Sequence, residues 1–392
     1  MTNRVAIAGI GMTSFGKFLD RSVRSLSEEA VRIALDDAGI GADRVDRVFF
    51  GNSAGGVITG QEMIRGQAAL RFTGLMGKPI INVENACATA STAFHLAWQS
   101  VASGQADIVL AIGAEKLSHV DKAKSFGAFG GAVDKEEELP AHVGSGSGSI
   151  FMDIYAERTR RFMDSTGATP EDFAQVVVKS RHAASLNPFA QFRKETTVEE
   201  VLASRMISTP LTLQMCSSIG DGAAAILLCS SRVVAEMTKH KPVWVASSAL
   251  VSGSANTTSP IASKRAADAA YKEASIAPEE VHVVEVHDAA APSELINYEV
   301  LGLCAPGEAA ELLRSGETGL GGRISVNPSG GLLSKGHPIG ATGAAQIFEL
   351  TQQLRGEAGP RQREGAKVAL AQNSGGQVGG DSAAAVVSIL LA

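Results

Sequence analysis

The chain has 392 residues, of which 45% are hydrophobic and 19% charged, so it is long enough for two or three domains with buried cores. Its net charge of −6, without a run of arginine or lysine, argues against nucleic acid as a partner. No stretch reaches the ~20 apolar residues that cross a bilayer, and the N-terminus lacks a cleavage-site pattern. We therefore expect a cytoplasmic protein without a membrane partner.

Apolar runs of strand length recur along the whole chain, with helical patterns between them. The runs predict strands at 4–11, 47–52, 107–115, 223–230, 242–250, 282–289, 367–375 and 383–391. The helical patterns lie at 25–38, 88–103, 260–275, 292–303 and 341–355. This alternation predicts βαβ units and therefore an α/β fold.

The chain also contains a faint internal repeat. In the first half, a turn that begins at Asn82 leads to Cys87, then to a helix and the strand at 107–115. In the second half, a turn that begins at Asn327 leads to a helix and the strand at 367–375. Repeated halves usually stack their sheets and form a site at the junction, so the two turns should occupy equivalent places.

A stretch of different character, roughly 119–210, separates the two halves. It holds a Gly-Ser run at 144–149 and an amphipathic helical pattern at 150–163. The run could be a flexible linker, but the helix directly after it favours an inserted loop-and-helix subdomain. The predicted domains are a first half (1–118 and 211–240), a loop domain (119–210) and a second half (241–392).

Four cysteines are widely spaced and include no C-x-x-C pair, which predicts free thiols rather than disulfides or a zinc site. Cys87 differs from the others because small neighbours let the backbone approach it, and because a helix follows directly. A helix N-terminus lowers the pKa of a thiol, so Cys87 is the candidate nucleophile. Cys216, Cys229 and Cys304 lack such a context and are interpreted as packing residues.

Two histidines are further candidates. His337 lies in the sequence G-H-P-I-G-A-T-G (336–343), where proline and glycines predict a stiff turn whose backbone can approach a ligand closely. His287 lies at the end of a predicted buried strand and the start of a helix. Asp288 beside it could be a cap of that helix and nothing more.

Four motifs together resemble the thiolase superfamily. They are the G-H-P motif, the N-x-x-x-x-C approach to Cys87, the D-G-A-A-A of 221–225 and the H-D-A-A of 287–290. They look most similar to the sterol-carrier-protein-type branch, whose third motif begins His-Asp. The resemblance runs over essentially the whole chain. It implies an αβαβα five-layer fold of two similar βαβαβαββ halves with an inserted loop domain, and a homodimer or a dimer of dimers.

The resemblance also implies roles for individual residues. Cys87 matches the acylated nucleophile, and His337 matches the histidine that activates it and helps to hold a thioester oxygen. His287 takes the place of a residue that helps to form an oxyanion hole. Ser217 falls near the serine that contacts the pantetheine arm of coenzyme A. A coenzyme A thioester is then the substrate, without a permanently bound cofactor or a metal.

One departure concerns the second cysteine that moves the α-carbon proton when thiolases make or break a carbon-carbon bond. The family places it in a C-terminal C-x-G motif or, in the sterol-carrier branch, in an H-D-C-F motif. Gln372 stands about where the first would be, and Ala289 stands in the place of the second. The proton-transfer base is therefore missing or replaced by another group, such as His287.

Three functions are compatible with these residues. The leading hypothesis is an acyl-CoA acyltransferase of the acetyl-CoA C-acyltransferase type, which uses acyl-Cys87 for Claisen or retro-Claisen chemistry. The second is a thiolase-like aldolase or C-acyltransferase that acts with an OB-fold or synthase-like partner protein. The third is a degenerate acyl-CoA-binding protein, which retention of Cys87, His287 and His337 together argues against. The region 119–163, with few bulky residues, is expected to line the acyl tunnel and to leave room for a large or cyclic acyl chain.

Overall fold

The computed structural model describes residues 3–392 apart from 146, 238 and 257. The strands are β1 (Val5–Met12), β2 (Arg47–Gly51), β3 (Ile80–Val83), β4 (Ile108–Glu115), β5 (Met206–Ser208), β6 (Leu211–Thr212), β7 (Gly222–Ser230), β8 (Val243–Ser252), β9 (Val283–Glu285), β10 (Ser325–Val326), β11 (Val368–Gly375) and β12 (Ala384–Leu391). The helices are α1 (Val23–Ala38), α2 (Gly55–Thr59), α3 (Arg65–Ala69), α4 (Thr89–Ala102), α5 (Lys122–Phe129), α6 (Ile150–Thr166), α7 (Pro170–Ser185), α8 (Val198–Ala203), α9 (Ala262–Ala274), α10 (Pro292–Val300), α11 (Ala309–Arg314) and α12 (Thr342–Arg355). Within these described ranges, every helix is too short or too polar to cross a membrane.

Ten strands form two sets of five that share one topology. The first set has the order β3-β2-β4-β7-β1, and the second has the order β10-β9-β11-β12-β8. In each set the first three strands pair in parallel, the fourth pairs antiparallel with the third, and the fifth pairs antiparallel with the fourth. A short antiparallel contact between β1 and β8 joins the two sets. The internal repeat predicted from the sequence is therefore a repeat of sheet topology.

The strands are apolar along their whole length because helices cover both faces of each sheet. In β4, Ile108, Leu110 and Ile112 pack on the side of α1. Val109 and Ala111 belong to the core on the opposite face, which α4 and α12 share. This alternation with period two places α1 outside the first sheet and the pair of helices inside.

The two central helices lie between the sheets, and α9 covers the outer face of the second sheet. The order is therefore helix, sheet, helix pair, sheet, helix, which is the predicted αβαβα five-layer fold.

Glycine permits the closest contacts between layers. A Cβ atom at Gly113 would lie 2.3 Å from the Gly340 carbonyl oxygen and 2.5 Å from Ala90 Cβ. Strand β4, helix α4 and the G-H-P loop thus meet where no side chain could fit.

Residues between β4 and β6 contribute helices α5 to α8 and pack on the second half of the chain. Both ends of the Gly-Ser run at 144–149 form hydrogen bonds with helix α6; residue 146 of the run lies outside the described residues. Ser149 accepts a hydrogen bond from Met152 N at 3.4 Å and caps α6, and Gly144 N donates to Asp153 at 2.8 Å. These contacts favour the loop-domain interpretation over a linker. We propose the predicted domain division, with a first half (1–118 and 211–240), a loop domain (119–210) and a second half (241–392).

Candidate active site

Cys87 lies in a single helical turn directly before α4. Its neighbour Ala86 has a φ of 48°, a left-handed conformation that alanine rarely adopts. Thr89 holds this turn, because its hydroxyl donates to the Ala86 carbonyl at 2.7 Å and accepts from Asn85 N at 2.9 Å. From the other side, the backbone of Gly375 approaches so closely that a Cβ there would lie 2.9 Å from Cys87 N. The position of the thiol is therefore set by backbone contacts from both halves of the chain.

The ring orientation of His337 is set by the first turn of α12. Its Nδ1 lies 2.8 Å from the hydroxyl of Thr342, and that hydroxyl donates to the Pro338 carbonyl at 3.0 Å. The hydroxyl oxygen is thus the acceptor for an Nδ1–H group of His337. This assigns the hydrogen to Nδ1 and leaves Nε2 with a free lone pair, the arrangement that a general base requires.

His287 has the opposite tautomer. The amide nitrogen of Asn373 lies 3.2 Å from His287 Nδ1, and an amide nitrogen can only donate. Nδ1 is therefore the acceptor, and Nε2 carries the hydrogen. The two imidazole rings meet edge to face, with centroids 5.2 Å apart and an interplanar angle of 80°. One ring is arranged as a proton acceptor and the other as a hydrogen-bond donor.

The structure brings these three side chains together. The sulfur of Cys87 and one ring nitrogen from each histidine all lie within 4.8 Å of one another. A thiolate and two imidazoles are also a donor set that zinc accepts. The N–H that His287 carries on Nε2 cannot ligate a metal, however, so the assigned tautomers fit acyl-transfer chemistry better than metal binding.

Burial decides the protonation states of the cluster. It raises the pKa of the Cys87 thiol to about 12, helped by the charges of Glu115 and Glu84 and opposed by backbone N–H groups of Cys87 and Gly376. Burial lowers the pKa of His287 to about 4, and burial with the nearby His287 and Lys335 lowers the pKa of His337 well below its usual value. The low thiol pKa expected from the helix N-terminus is therefore wrong in direction. The resting cluster is a thiol with two neutral imidazoles, and the proton has to leave sulfur as a new bond forms.

A cavity of about 480 Å³ leads to this cluster, and Cys87, His337, Ala289 and Ser217 line it. Ser217 N donates to the Ala289 carbonyl at 2.9 Å, which fixes this wall of the cavity. Cys216 also lines the cavity, so its interpretation as a pure packing residue is incomplete. Three of the four site residues predicted from the sequence, Cys87, His337 and Ser217, therefore line this cavity, whereas His287 lines a smaller cavity that also contacts Cys87.

The loop domain supplies the aromatic wall of the same cavity. Four aromatic side chains line it, namely Phe126 and Phe129 of α5 and Phe151 and Tyr155 of α6. The sequence prediction that 119–163 lines the tunnel agrees with this arrangement. The expectation of few bulky side chains is wrong, because the helical spacing of these residues turns all four rings toward one space.

The C-terminal place expected for the second cysteine lies in strand β11, where Gln372 and Asn373 are neighbours. Gln372 does not face the cluster, because its side chain accepts from His287 N at 2.9 Å and donates to Ser263 of α9 at 3.0 Å. The next residue of β11, Asn373, faces the central layer, where Ser91 of α4 donates to it at 3.0 Å. Successive side chains of a strand point to opposite faces, so Gln372 and Asn373 face different layers.

Two buried carboxylates that the sequence did not assign hold the loops of the site. Asp288 accepts from Leu332 N at 2.7 Å and caps the single π-helical turn Gly331–Lys335 that precedes His337, rather than helix α10. Glu115 accepts from Gly340 N at 3.0 Å in the G-H-P loop. Burial raises the pKa of both carboxyl groups to about 7. Glu115 showed no sequence signal beyond its place at the end of an apolar run, whereas Asp288 belongs to the H-D-A-A motif and was predicted only as a possible helix cap.

Comparison with known proteins gives two family matches. Residues 5–232 match the family model of the thiolase N-terminal domain, and residues 245–390 match that of the thiolase C-terminal domain. Together these matches cover nearly the whole chain.

The individual relatives support the same family assignment. The chain is 39% identical to the benzoylsuccinyl-CoA thiolase subunit BbsB of Thauera aromatica, over 91% of this chain and 90% of the relative. It is 40% identical to an acetyl-CoA acetyltransferase of Methanothermobacter thermautotrophicus, over 98% and 99%. It is 38% identical to sterol carrier protein 2 of Gallus gallus, over 96% of this chain and 70% of that protein.

The structure of an Ltp2-ChsH2(DUF35) aldolase superposes on the chain with a TM-score of 0.79 and 25% identity, covering 98% of this chain and 97% of the other. Fold, motifs and relatives therefore agree that the chain belongs to the thiolase family, as a thiolase-type acyltransferase of the sterol-carrier-protein branch.

Proposed function

We propose that Cys87, His337 and His287 carry out the thiolase-type reaction of this protein, with the acyl group held on Cys87. The observation that carries the proposal is the approach of the three reactive atoms to within 4.8 Å of one another, beside a cavity of about 480 Å³. Ser217, which lines this cavity beside Ala289, contacts the pantetheine arm of the acyl-CoA in this proposal.

The first half-reaction transfers the acyl group to sulfur. Nε2 of His337 accepts the thiol proton as Sγ attacks the thioester carbonyl, because the high pKa of the thiol prevents a free thiolate from accumulating. The Nε2–H of His287 donates to the oxygen on which negative charge develops. The carbon-sulfur bond to coenzyme A then breaks, and the leaving thiolate takes the proton from His337.

The second half-reaction needs a base for the α-carbon proton of the acceptor acyl-CoA. His287 carries a hydrogen on Nε2 and uses the lone pair of Nδ1 to accept from Asn373, so it is poorly suited to this role. His337 is neutral again once coenzyme A has left, and its Nε2 lone pair faces the cluster. We assign the α-proton to His337. The carbanion then forms a bond to the acyl carbon, the bond from that carbon to Cys87 Sγ breaks, and His337 returns the proton to the sulfur.

The test is the release of coenzyme A during a single turnover, followed with a thiol reagent after mixing with acetyl-, butyryl- or benzoyl-CoA. Wild-type protein should release about one equivalent with at least one of these esters, whereas Cys87→Ala should release none. His337→Ala should load roughly 10²- to 10⁴-fold more slowly, the usual worth of a general base. Cys229→Ala is the matched control, because Cys229 is buried in β7. Undiminished release by Cys87→Ala would refute the proposal.

A second candidate function is aldolase or C-acyltransfer chemistry with a protein partner. Alanine occupies position 289 and glutamine position 372, so a second thiol is missing from both positions that the family resemblance indicates. The relative BbsB is named as a subunit, and the similar aldolase structure includes a DUF35 component. An OB-fold partner should then raise carbon-carbon bond activity without changing the loading of Cys87.

We further propose a homodimer, or a dimer of dimers, in the cytoplasm. Strand β3 is an edge strand whose Ile81 is 37% exposed, and the adjoining segment exposes Met63, Ile64, Phe72 and Met76 by more than half. An open strand edge beside apolar surface favours pairing with a second copy. The four free cysteines suit a reducing compartment.

A further inference from the structure

One face of helix α6 is directed at the reactive cluster. Phe151, Tyr155 and Arg158 follow one another at intervals of four and three residues and therefore lie on the same side of the helix. All three line a small cavity of about 20 Å³ together with Cys87 and His287. Phe151, Tyr155 and Cys87 also line the large cavity, so the two spaces adjoin at the nucleophile.

The guanidinium of Arg158 has no counter-charge in the described part of the chain. Its Nη2 donates to the side-chain oxygen of Gln377 at 2.6 Å and to the Gly380 carbonyl at 3.3 Å, and both acceptors are neutral. The neighbouring Glu157 is occupied, because it pairs with Arg161 and His142. Arg158 lines the cavity that Cys87 and His287 also line, and because both acceptors of its Nη2 are neutral amide oxygens, its remaining N–H groups suit an anion.

We propose that Arg158 binds a carboxylate of the substrate, so that the acyl group loaded on Cys87 is that of a dicarboxylic acid. This inference rests on the proposed function and adds a substrate class to it. The small cavity adjoins the large one at Cys87, so a polar group carried beyond the acyl carbon can reach the wall that Arg158 forms. The carbon chain between the two carbonyl groups then lies along Phe151 and Tyr155, and an N–H group that Arg158 keeps on Nη1 donates a charge-assisted hydrogen bond to the carboxylate.

The reaction that this specificity governs is a simple exchange of thioesters. The Cys87 sulfur forms a bond to the thioester carbon, and the bond from that carbon to the coenzyme A sulfur breaks. The thiol proton passes through His337 to coenzyme A, while the distal carboxylate stays ionised and paired with Arg158.

The test compares succinyl-CoA with butyryl-CoA, which has the same carbon number and a methyl group in place of the carboxylate. Single-turnover release of coenzyme A gives kcat/KM for each ester with the wild type, Arg158→Gln, Arg158→Lys and Arg161→Gln. We expect Arg158→Gln to lower the succinyl-to-butyryl ratio by roughly 10- to 100-fold, the usual worth of a charged hydrogen-bonded pair. Arg158→Lys should restore part of the preference. Arg161→Gln removes the same charge from an exposed site of the same helix and should leave the ratio unchanged.

Two outcomes would overturn this inference while the proposed function stands. One is an equal loss for both esters in Arg158→Gln, which would make Arg158 a support for the loop at 377–380. The other is a wild type that loads butyryl-CoA at least as well as succinyl-CoA, with the same ratio in the variant. If no acyl-CoA loads Cys87, the proposed function fails, and this inference fails with it.

Discussion

Gly375 lies where the end of strand β11 touches the Cys87 turn, and replacing it by alanine tests how that turn is held. The added Cβ would lie 2.2 Å from the Asn85 carbonyl oxygen and 2.4 Å from Ala88 N, both of them backbone atoms. Ordinary contact begins near 3.4 Å, so the turn has to move by about 1 Å. Gly375 itself does not have a positive φ, so the substitution strains the contact and not its own backbone.

The expected magnitudes separate stability from activity. Overpacking of this kind costs about 1–3 kcal/mol of unfolding free energy. A displacement of about 1 Å in a reacting group costs roughly 100-fold in rate. We therefore expect Gly375→Ala to remain folded and to load Cys87 roughly 100-fold more slowly than the wild type.

The assay combines urea unfolding with single-turnover release of coenzyme A. Gly127→Ala serves as the control, because a Cβ at Gly127 meets open space and its φ is also not positive. Gly127→Ala should load Cys87 at the wild-type rate and should be about 0.5–1 kcal/mol more stable, because Gly127 lies inside helix α5. Wild-type loading by Gly375→Ala would show that the contact between β11 and the turn does not position the thiol, and the reasoning would be wrong.

Three further predictions address the tautomer, the buried carboxylate and the assembly. Thr342→Val removes the acceptor of the His337 Nδ1–H group, so the loading rate should fall roughly tenfold or more. The buried donor left without a partner should also cost about 1–3 kcal/mol of unfolding free energy. An unchanged loading rate would contradict the assigned tautomer. Burial raises the pKa of Asp288 to about 7, so the folded state favours the protonated carboxyl group. This contribution to the free energy of unfolding is fully present at low pH and is lost as pH rises through the folded-state pKa. Between about pH 5 and 8 the wild type should therefore lose about 3 kcal/mol of unfolding free energy relative to Asp288→Asn, and a difference that does not vary with pH would contradict the buried titration. Ile81→Asp should convert the dimer to a monomer in light scattering, whereas a monomeric wild type would exclude pairing through β3.

Much of the fold could be predicted because its central elements carry strong apolar periodicity. The helix expected at 88–103 is Thr89–Ala102, and the strand expected at 107–115 is Ile108–Glu115. Strands β3 and β10 were not predicted, because they are short edge strands of four and two residues without a long apolar run. The strand expected at 282–289 ends at Glu285, because Asn327 takes over the hydrogen bond of Val286 N at 2.8 Å and turns the chain toward the site.

The meeting of Cys87, His287 and His337 followed from motifs that lie far apart in the sequence but close together in the fold. The side of the strand that Asn373 faces could not be read from the sequence, since it depends on register. The raised pKa of Cys87 depends on burial by residues from both halves of the chain, which outweighs the helix N-terminus beside it. Arg158 showed no signal of its own, because only the packing of α6 against the cluster reveals its surroundings.

Peptide mapping of the acylated protein tests the central claim most directly. After brief incubation with an acyl-CoA and an acid quench, mass spectrometry of the peptides should find the acyl group on the peptide that contains Cys87 and should find none in Cys87→Ala. The sharpest alternative is Cys216, because its side chain lines the same cavity. An acyl group mapped to Cys216, or retained in Cys87→Ala, would contradict the assignment of Cys87 as the nucleophile.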